Sequence, residues 1–257
     1  MSGPVFLAGL ADTGKTPLRL MLSAHPDFVM VRGTRLWERF DGRFGDLTDP
    51  GNLERLLAAL LADDAVARLR PDPAGLRRAV ATDGASYATV LRAVHDQHAR
   101  SNGRRRWGEQ FGMADVAAPR LFEQLPDARI VHLVRDPVSH CRVVAGRGRR
   151  RLGAVGRTTA RWLRSAQAAI DNVRRFEGRY LVVRFEALRD DRETTLRRVC
   201  AFLDAPFAPA MLAVGADGGL RKPEAGPATG SAEARLVTLF AARYLDTLGY
   251  PRSQQEV

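Results

Sequence analysis

Lysine is almost missing from this chain. Of 40 basic residues only Lys15 and Lys222 are lysines, and with 29 acidic residues the formal charge is +11, carried by arginine. A skew that strong reads as a general preference for arginine, so the total alone names no polyanionic partner, although a positive field helps recruit an anionic substrate. Cysteine is also scarce. Cys141 and Cys200 are the only two, and both lie in apolar helical patterns, which argues against a disulfide framework and for a reduced, cytoplasmic setting. No apolar run approaches the roughly 18 residues that cross a bilayer, so no membrane partner is expected. The start, Met1-Ser-Gly-Pro, lacks a basic region and reads as the approach to a first strand, not as a secretory leader. There is no internal repeat, no zinc-ligand spacing and no RNA-type aromatic signature. With basic residues scattered along the whole length, a nucleic-acid-binding module is disfavoured. The richest basic run, residues 142–151, reads as a solvated helix end or loop.

What remains is an ordinary globular composition, 45% apolar and 27% charged over 257 residues, enough for one domain with a full core. Short apolar strands are expected at residues 4–9, 28–31, 129–134 and 180–185. Helical periodicity is expected at 17–24, 53–69, 86–100, from Pro137 onward, and at 158–176, 193–203 and 232–248, the last with Gly249 just past its end. Residues 70–75 read as a loop, 106–109 are brief and ambiguous, and 215–230 form a glycine- and proline-rich loop able to close over a ligand. Strands alternating with helices imply an α/β fold with a parallel central sheet flanked by helices.

Between the first strand and the first helix stands Gly9-Leu-Ala-Asp-Thr-Gly14-Lys15-Thr16, which fits G-x-x-x-x-G-K-[ST] without a mismatch. Glycines let the backbone wrap until successive N–H groups converge on an anion. The helix that follows, with Pro17 in its first turn, presents its positive end to the same point. Lys15 adds a compact mobile charge, and Thr16 a hydroxyl for a phosphate or a magnesium ion. This is a P-loop nucleotide-binding fold. The bland alternative, a glycine turn between two elements, leaves the placement of one of only two lysines unaccounted for.

Four segments then carry a family resemblance. They are the stretch from Phe6 to Pro26, Trp107-Gly-Glu-Gln110, Leu125-Pro-Asp-Ala-Arg-Ile-Val-His-Leu-Val-Arg-Asp-Pro137, and the pair Tyr180-Leu-Val-Val-Arg-Phe-Glu-Ala-Leu188 and Leu196-Arg-Arg-Val-Cys-Ala-Phe-Leu-Asp-Ala-Pro-Phe207. In this order they resemble the phosphosulfate loop, the W-G-E-K segment, the 3′-phosphate strand and the late strand and helix of the bacterial sulfotransferases that use 3′-phosphoadenosine-5′-phosphosulfate (PAPS). The resemblance implies one domain over residues 1–257, with a helical insertion at about 34–104 that shapes the pocket for a small-molecule acceptor bearing a hydroxyl or amine. It implies PAPS as donor, bound by Gly9, Asp12, Thr13, Gly14, Lys15, Thr16 and Pro17, by Arg135 with Ser139, and by Arg221 and Lys222 in the late loop. Lys15 is the candidate for charge on the leaving phosphate. Glu109 and His95 are candidates for the proton transfer, although His95 and His98, three apart on one helix, also read as structural histidines. Glu38 could line the pocket, and Trp37 and Trp107 could stack on an adenine or an aromatic acceptor. Trp162 reads as core.

The same comparison shows departures. The loop cation has moved past the glycine, to where ATP- and GTP-using P-loop enzymes keep it, and Asp12 stands where the family has a positive charge. Val143 stands eight places after Arg135, where the family carries a serine that contacts the 3′-phosphate. Gln110 replaces the lysine of W-G-E-K, and Gly33 a glutamate. Two readings therefore stay open: sulfuryl transfer from PAPS, or an ATP- or GTP-dependent phosphotransferase that uses magnesium through Thr16. For Arg135 the alternative to anion binding is a structural pairing with Asp136 or Glu186. No resident metal is expected under the first reading, and the oligomeric state is left open.

Overall fold

The computed structural model describes residues 3–112, 114–146, 153–214, 220 and 231–250. The chain divides into two compact units, residues 1–25 with 112–257, and residues 26–111. In chain order the larger unit opens with β1 (Val5–Ala8) and α1 (Lys15–Ser23). The smaller unit follows with β2 (Phe28–Arg32), α2 (Leu36–Arg39), α3 (Pro50–Leu61), α4 (Asp64–Ala67), α5 (Pro73–Asp83), α6 (Tyr87–Ser101) and β3 (Arg106–Gln110). The larger unit resumes with α7 (Ala114–Gln124), β4 (Arg129–Val134), α8 (Pro137–Gly146), α9 (Ala154–Arg175) and β5 (Tyr180–Arg184). It ends with α10 (Phe185–Asp190), α11 (Arg192–Phe202), a 3-10 turn at Pro209–Met211 and α12 (Ser231–Leu245).

In the larger unit β4 is the middle of three parallel strands. Val5 to Ala8 pair with Arg129 to His132 on one side, and Ile130 to Val134 with Tyr180 to Arg184 on the other. In the smaller unit β2 and β3 run parallel, from Phe28 beside Arg106 to Arg32 beside Gln110. Parallel strands are covered by helices on both faces, which is why β1 is buried throughout and β4 from its second residue on. The expected α/β class, parallel strands flanked by helices, is met. One core cluster of the larger unit joins Trp162, Ala166 and Ala169 of α9 to Ala241, Tyr244 and Leu245 of α12. Trp162 is therefore core, as its helical spacing suggests. Among the described residues no helix is long and apolar enough to cross a membrane.

Three readings of local structure change. Residues 70–75 are not a loop throughout, because the Asp72 carboxylate accepts from the N–H groups of Ala74 and Gly75 at 3.0 and 2.9 Å and caps α5, with Pro73 in its first position. The proline and glycine that suggested a break are part of a helix start. The helix expected over 53–69 is two, since Asp63 accepts from Ala65 N–H at 2.9 Å and begins α4 afresh. The ambiguous 106–109 is strand β3. The sequence reading contains neither α7, which carries Pro119 inside it, nor α10, which follows β5 without an intervening loop residue.

Candidate functional site

The loop from Gly9 to Thr16 joins β1 to α1. Its backbone alternates in a way few residues permit: φ is +117° at Gly9, +66° at Asp12 and +95° at Gly14. Two of these positions also lack room. A Cβ on Gly9 would lie 2.3 Å from the carbonyl oxygen of Leu133, because β1 and β4 are neighbours in register there, and one on Gly14 would lie 2.8 Å from the Phe185 ring. Both glycines are thus required by conformation and by close approach.

Side chains hold the loop's carbonyls one after another. The Lys15 ammonium donates to the carbonyls of Gly9 and Leu10, and the Thr13 hydroxyl donates to Leu10 at 2.8 Å. His140 Nε2 donates to the carbonyl of Ala11 at 2.9 Å, and Arg135 Nη1 to that of Asp12 at 3.0 Å. Four successive carbonyls, 9 to 12, are bound this way. In a planar trans peptide the next N–H points opposite to the carbonyl, so the N–H groups of residues 10 to 13 turn away from these donors. With α1 starting at Lys15 behind a left-handed Gly14, the loop has the backbone form that can receive an anion at a helix N-terminus.

Burial sets the electrostatics. Lys15 is 7% exposed, and desolvation pulls its pKa from 10.5 down to about 8, partly offset by the negative charges of Asp115 and Asp12. Arg135, at the end of β4, lies over the Phe185 ring at 4.0 Å, and its backbone carbonyl accepts from the Trp162 indole at 2.8 Å. Burial lowers its pKa, against the charges of Glu186 and Asp12, but a guanidinium remains charged. Among the described residues its buried Nε has no hydrogen-bond partner, and neither has Nδ1 of His140. Since a carbonyl only accepts, His140 carries its proton on Nε2 and leaves Nδ1 as a lone pair; burial keeps this ring neutral by lowering its pKa.

Arg135 is not hydrogen-bonded to Asp136 or Glu186, its alternative partners in the sequence. The Glu186 carboxylate instead accepts from the Asp136 N–H at 3.0 Å and from the Tyr250 hydroxyl at 3.1 Å. Ser139 lies in the first turn of α8, where its N–H donates to Asp136 at 2.7 Å. Arg221, Lys222 and nearly all of the loop 215–230 fall outside the described residues.

Behind the loop runs a directional chain of hydrogen bonds. The Ser165 hydroxyl donates to Asp115 at 2.9 Å, so it accepts from His132 Nε2 at 3.1 Å. His132 Nδ1 then accepts from the Tyr180 hydroxyl at 2.7 Å. Burial brings His132 down to about 4 and keeps it neutral, while it pushes the Tyr180 phenol up. The chain ends on Asp115, whose charge is the largest influence favouring the ammonium of Lys15.

The smaller unit brings together two residues singled out by sequence. Glu109 of β3 and His95 of α6 are 1% and 0% exposed, with His95 Nε2 3.5 Å from Glu109 Oε2. The other carboxylate oxygen accepts from the Thr34 hydroxyl. His95 Nδ1 contacts the Leu91 carbonyl at 2.9 Å and must therefore carry a proton. Among the described residues neither Nε2 nor Oε2 makes a hydrogen bond, so the two face each other at ion-pair distance only. Trp107 stacks on His95 with ring centres 4.2 Å apart and donates to Asp96 at 2.8 Å. Burial lowers the pKa of His98, with a smaller contribution from nearby His95, and its carbonyl accepts from the Asn102 amide at 2.8 Å at the end of α6. Glu38 pairs with Arg35 at 2.5 Å. Among the described residues no group of three or more His, Cys, Asp or Glu is placed to hold a metal ion.

Sequence reasoning missed His140, Phe185, Asp115 and Thr34. A helix starting at Pro137 beside the loop was the only signal that could have pointed to His140; the other three act through tertiary packing.

A family model described as a sulfotransferase family matches residues 4–209. Among curated proteins none matches the sequence. The structure is similar to the sulfotransferase domain of an olefin synthase from Synechococcus PCC 7002, with a TM-score of 0.61 and 18% identity over 98% of this chain and 97% of that one. A sulfotransferase from Alicyclobacillus acidocaldarius matches at 0.55 and 18% identity over 100% of both chains. The mouse sulfotransferase SULT7A1, solved in complex with PAP, matches at 0.53 and 11% identity over 95% and 84%. At such identities the structures speak for the fold.

Proposed function

Because the chain belongs to the sulfotransferase family, we propose that it moves a sulfuryl group from PAPS to a hydroxyl or amine of a small-molecule acceptor. The observation that carries this reading is the loop from Gly9 to Asp12, whose four carbonyls are all bound by side chains, so that its N–H groups turn the other way. Such a nest takes a phosphate, and the two glycines leave no room for anything larger than hydrogen beneath it. PAPS supplies a sulfuryl group on a phosphosulfate, with a second phosphate at the 3′ position. For the first anionic end the chain is proposed to offer the N–H groups of residues 10 to 16, Thr13 among them, with the Thr16 hydroxyl and the Lys15 charge. For the second it offers Arg135, whose guanidinium still has an orphaned buried Nε, with Ser139 nearby on α8. Arg221 and Lys222 are proposed to add charge from the late loop.

Transfer of this kind passes through a loose in-line transition state, so the chain's work is positioning and charge stabilisation. Lys15 holds positive charge where the leaving phosphate gains negative charge. Glu109 is assigned the proton of the acceptor, with Thr34 fixing one oxygen and His95 beside the other. Residues 34–104 are proposed to supply the acceptor contacts.

Calorimetry tests the donor. Adenosine 3′,5′-bisphosphate (PAP) is expected to bind wild type equally with and without magnesium, and Arg135→Met to weaken it by about 100-fold, the order expected for a lost buried charge contact. Magnesium-dependent ATP binding with no response to PAP would overturn the reading and assign the nest to a nucleoside triphosphate.

A further inference from the structure

The larger unit holds a cleft of about 470 Å³ that shares no residue with the loop 9–17. Its walls are apolar where Ile170 and Val173 of α9, Leu181 of β5 and Leu248 beyond α12 line it. Three arginines border the same space: Arg174 from α9, Arg184 from the end of β5 and Arg198 from α11. Among the described residues no aspartate or glutamate lines it. Arg184 is held in place, with Nη1 donating to the carbonyl of Gly249 and the guanidinium 5.4 Å from the centre of the Tyr250 ring. Arg174 and Arg198 are exposed, and among the described residues neither is ion-paired.

On the same helix as Arg198, Arg197 is balanced by Glu193 at 2.7 Å one turn away. Three arginines that border one cleft with no acid in its described lining give it a positive potential, which favours an anion. The apolar walls then select an anion with a hydrocarbon body, because burying its CH₂ groups favours binding. The volume falls in the range of small-molecule pockets, roughly 300 to 1,000 Å³.

We propose that this cleft binds a small organic anion, an apolar body with one carboxylate, sulfate or phosphate head held by Arg174, Arg184 and Arg198. The proposal is independent of the donor assigned to the loop. Its test is calorimetric titration of the full chain with octyl sulfate, octanoate and 1-octanol, repeated with the exposed double variant Arg174→Ser/Arg198→Ser and in the presence of saturating PAP. Both anions are expected to bind, with octanol about tenfold weaker or more. The double variant is expected to lose about tenfold in anion affinity, and PAP to leave it unchanged. No binding, equal binding of octanol, an unaffected double variant or displacement by PAP would each overturn the proposal. Should only octyl sulfate or only octanoate bind, the head-group class narrows to that one and the site stands.

Discussion

Replacing Lys15 with methionine is expected to lower sulfuryl transfer by about 10² to 10³, the usual cost of removing one preorganised group that meets developing charge. The side chain is buried and its ammonium reaches the carbonyls of Gly9 and Leu10. Its charge is therefore held against the loop before any ligand arrives. Arginine is not a substitute, because its rigid fork does not fit where a compact ammonium touches two adjacent carbonyls. The pH profile gives an independent readout. Since burial brings Lys15 down to about 8, the charged form is lost as pH rises through that value, and kcat/KM, which reports the free enzyme, falls above it. Lys15→Met removes that limb.

The same shift makes a stability statement. Unfolding returns Lys15 to its ordinary 10.5, so between about 8 and 10.5 the unfolded chain binds more protons than the folded one. The cost of burying the charge is fully present below 8, on the order of 3 kcal/mol. It is relieved as pH rises toward 10.5, and denaturant unfolding of wild type should gain on Lys15→Met across that window. A kcat/KM that falls within threefold for Lys15→Met, with its alkaline limb intact, contradicts the role given to this lysine.

Glu109→Gln is the second change with a large expected effect, a fall in kcat of about 10² to 10⁴, the range that general-base removal produces. Glutamine keeps the oxygen that accepts from Thr34 and the shape of the side chain, but it cannot take a proton. His95 Nε2, 3.5 Å away, is the group beside the oxygen that Thr34 does not hold, and its Nδ1 meets the Leu91 carbonyl. Glu109 is 1% exposed, and if it meets the acceptor as proposed, KM for the acceptor is expected to respond as well. PAP affinity should not change. Transfer within twofold of wild type in Glu109→Gln would remove Glu109 from the proton step.

The parts of this site that were legible in sequence are those where the backbone itself is constrained. Gly9 and Gly14 are demanded by positive φ and by contacts with Leu133 and Phe185, and such demands leave a local pattern. Arg135 was legible because it ends an apolar strand just before a proline that starts a helix. The clamp on the loop was not legible. His140 meets Ala11 across 129 positions, and Arg135 meets Asp12 across 123. Both contacts depend on β1 and β4 being neighbours. Asp115 was invisible for a like reason, since its influence on Lys15 comes from the packing of α7 and α9, where Ser165 and Asn172 hold it. The start of α5 shows the opposite error, local residues read as a break when Asp72 and Pro73 begin a helix. Glu109 and His95 were singled out separately on chemical type; that they share one buried contact is a tertiary fact.

The most direct test of the account is to incubate the wild-type chain with PAPS labelled in its sulfuryl group and a panel of hydroxyl- and amine-bearing small molecules, without added metal, and to follow the label. The account predicts label in an organic sulfate or sulfamate, with PAP formed in equal amount. Label that remains on PAPS or appears only as inorganic sulfate across the panel, while labelled γ-phosphate passes from ATP to an acceptor when magnesium is present, would contradict it.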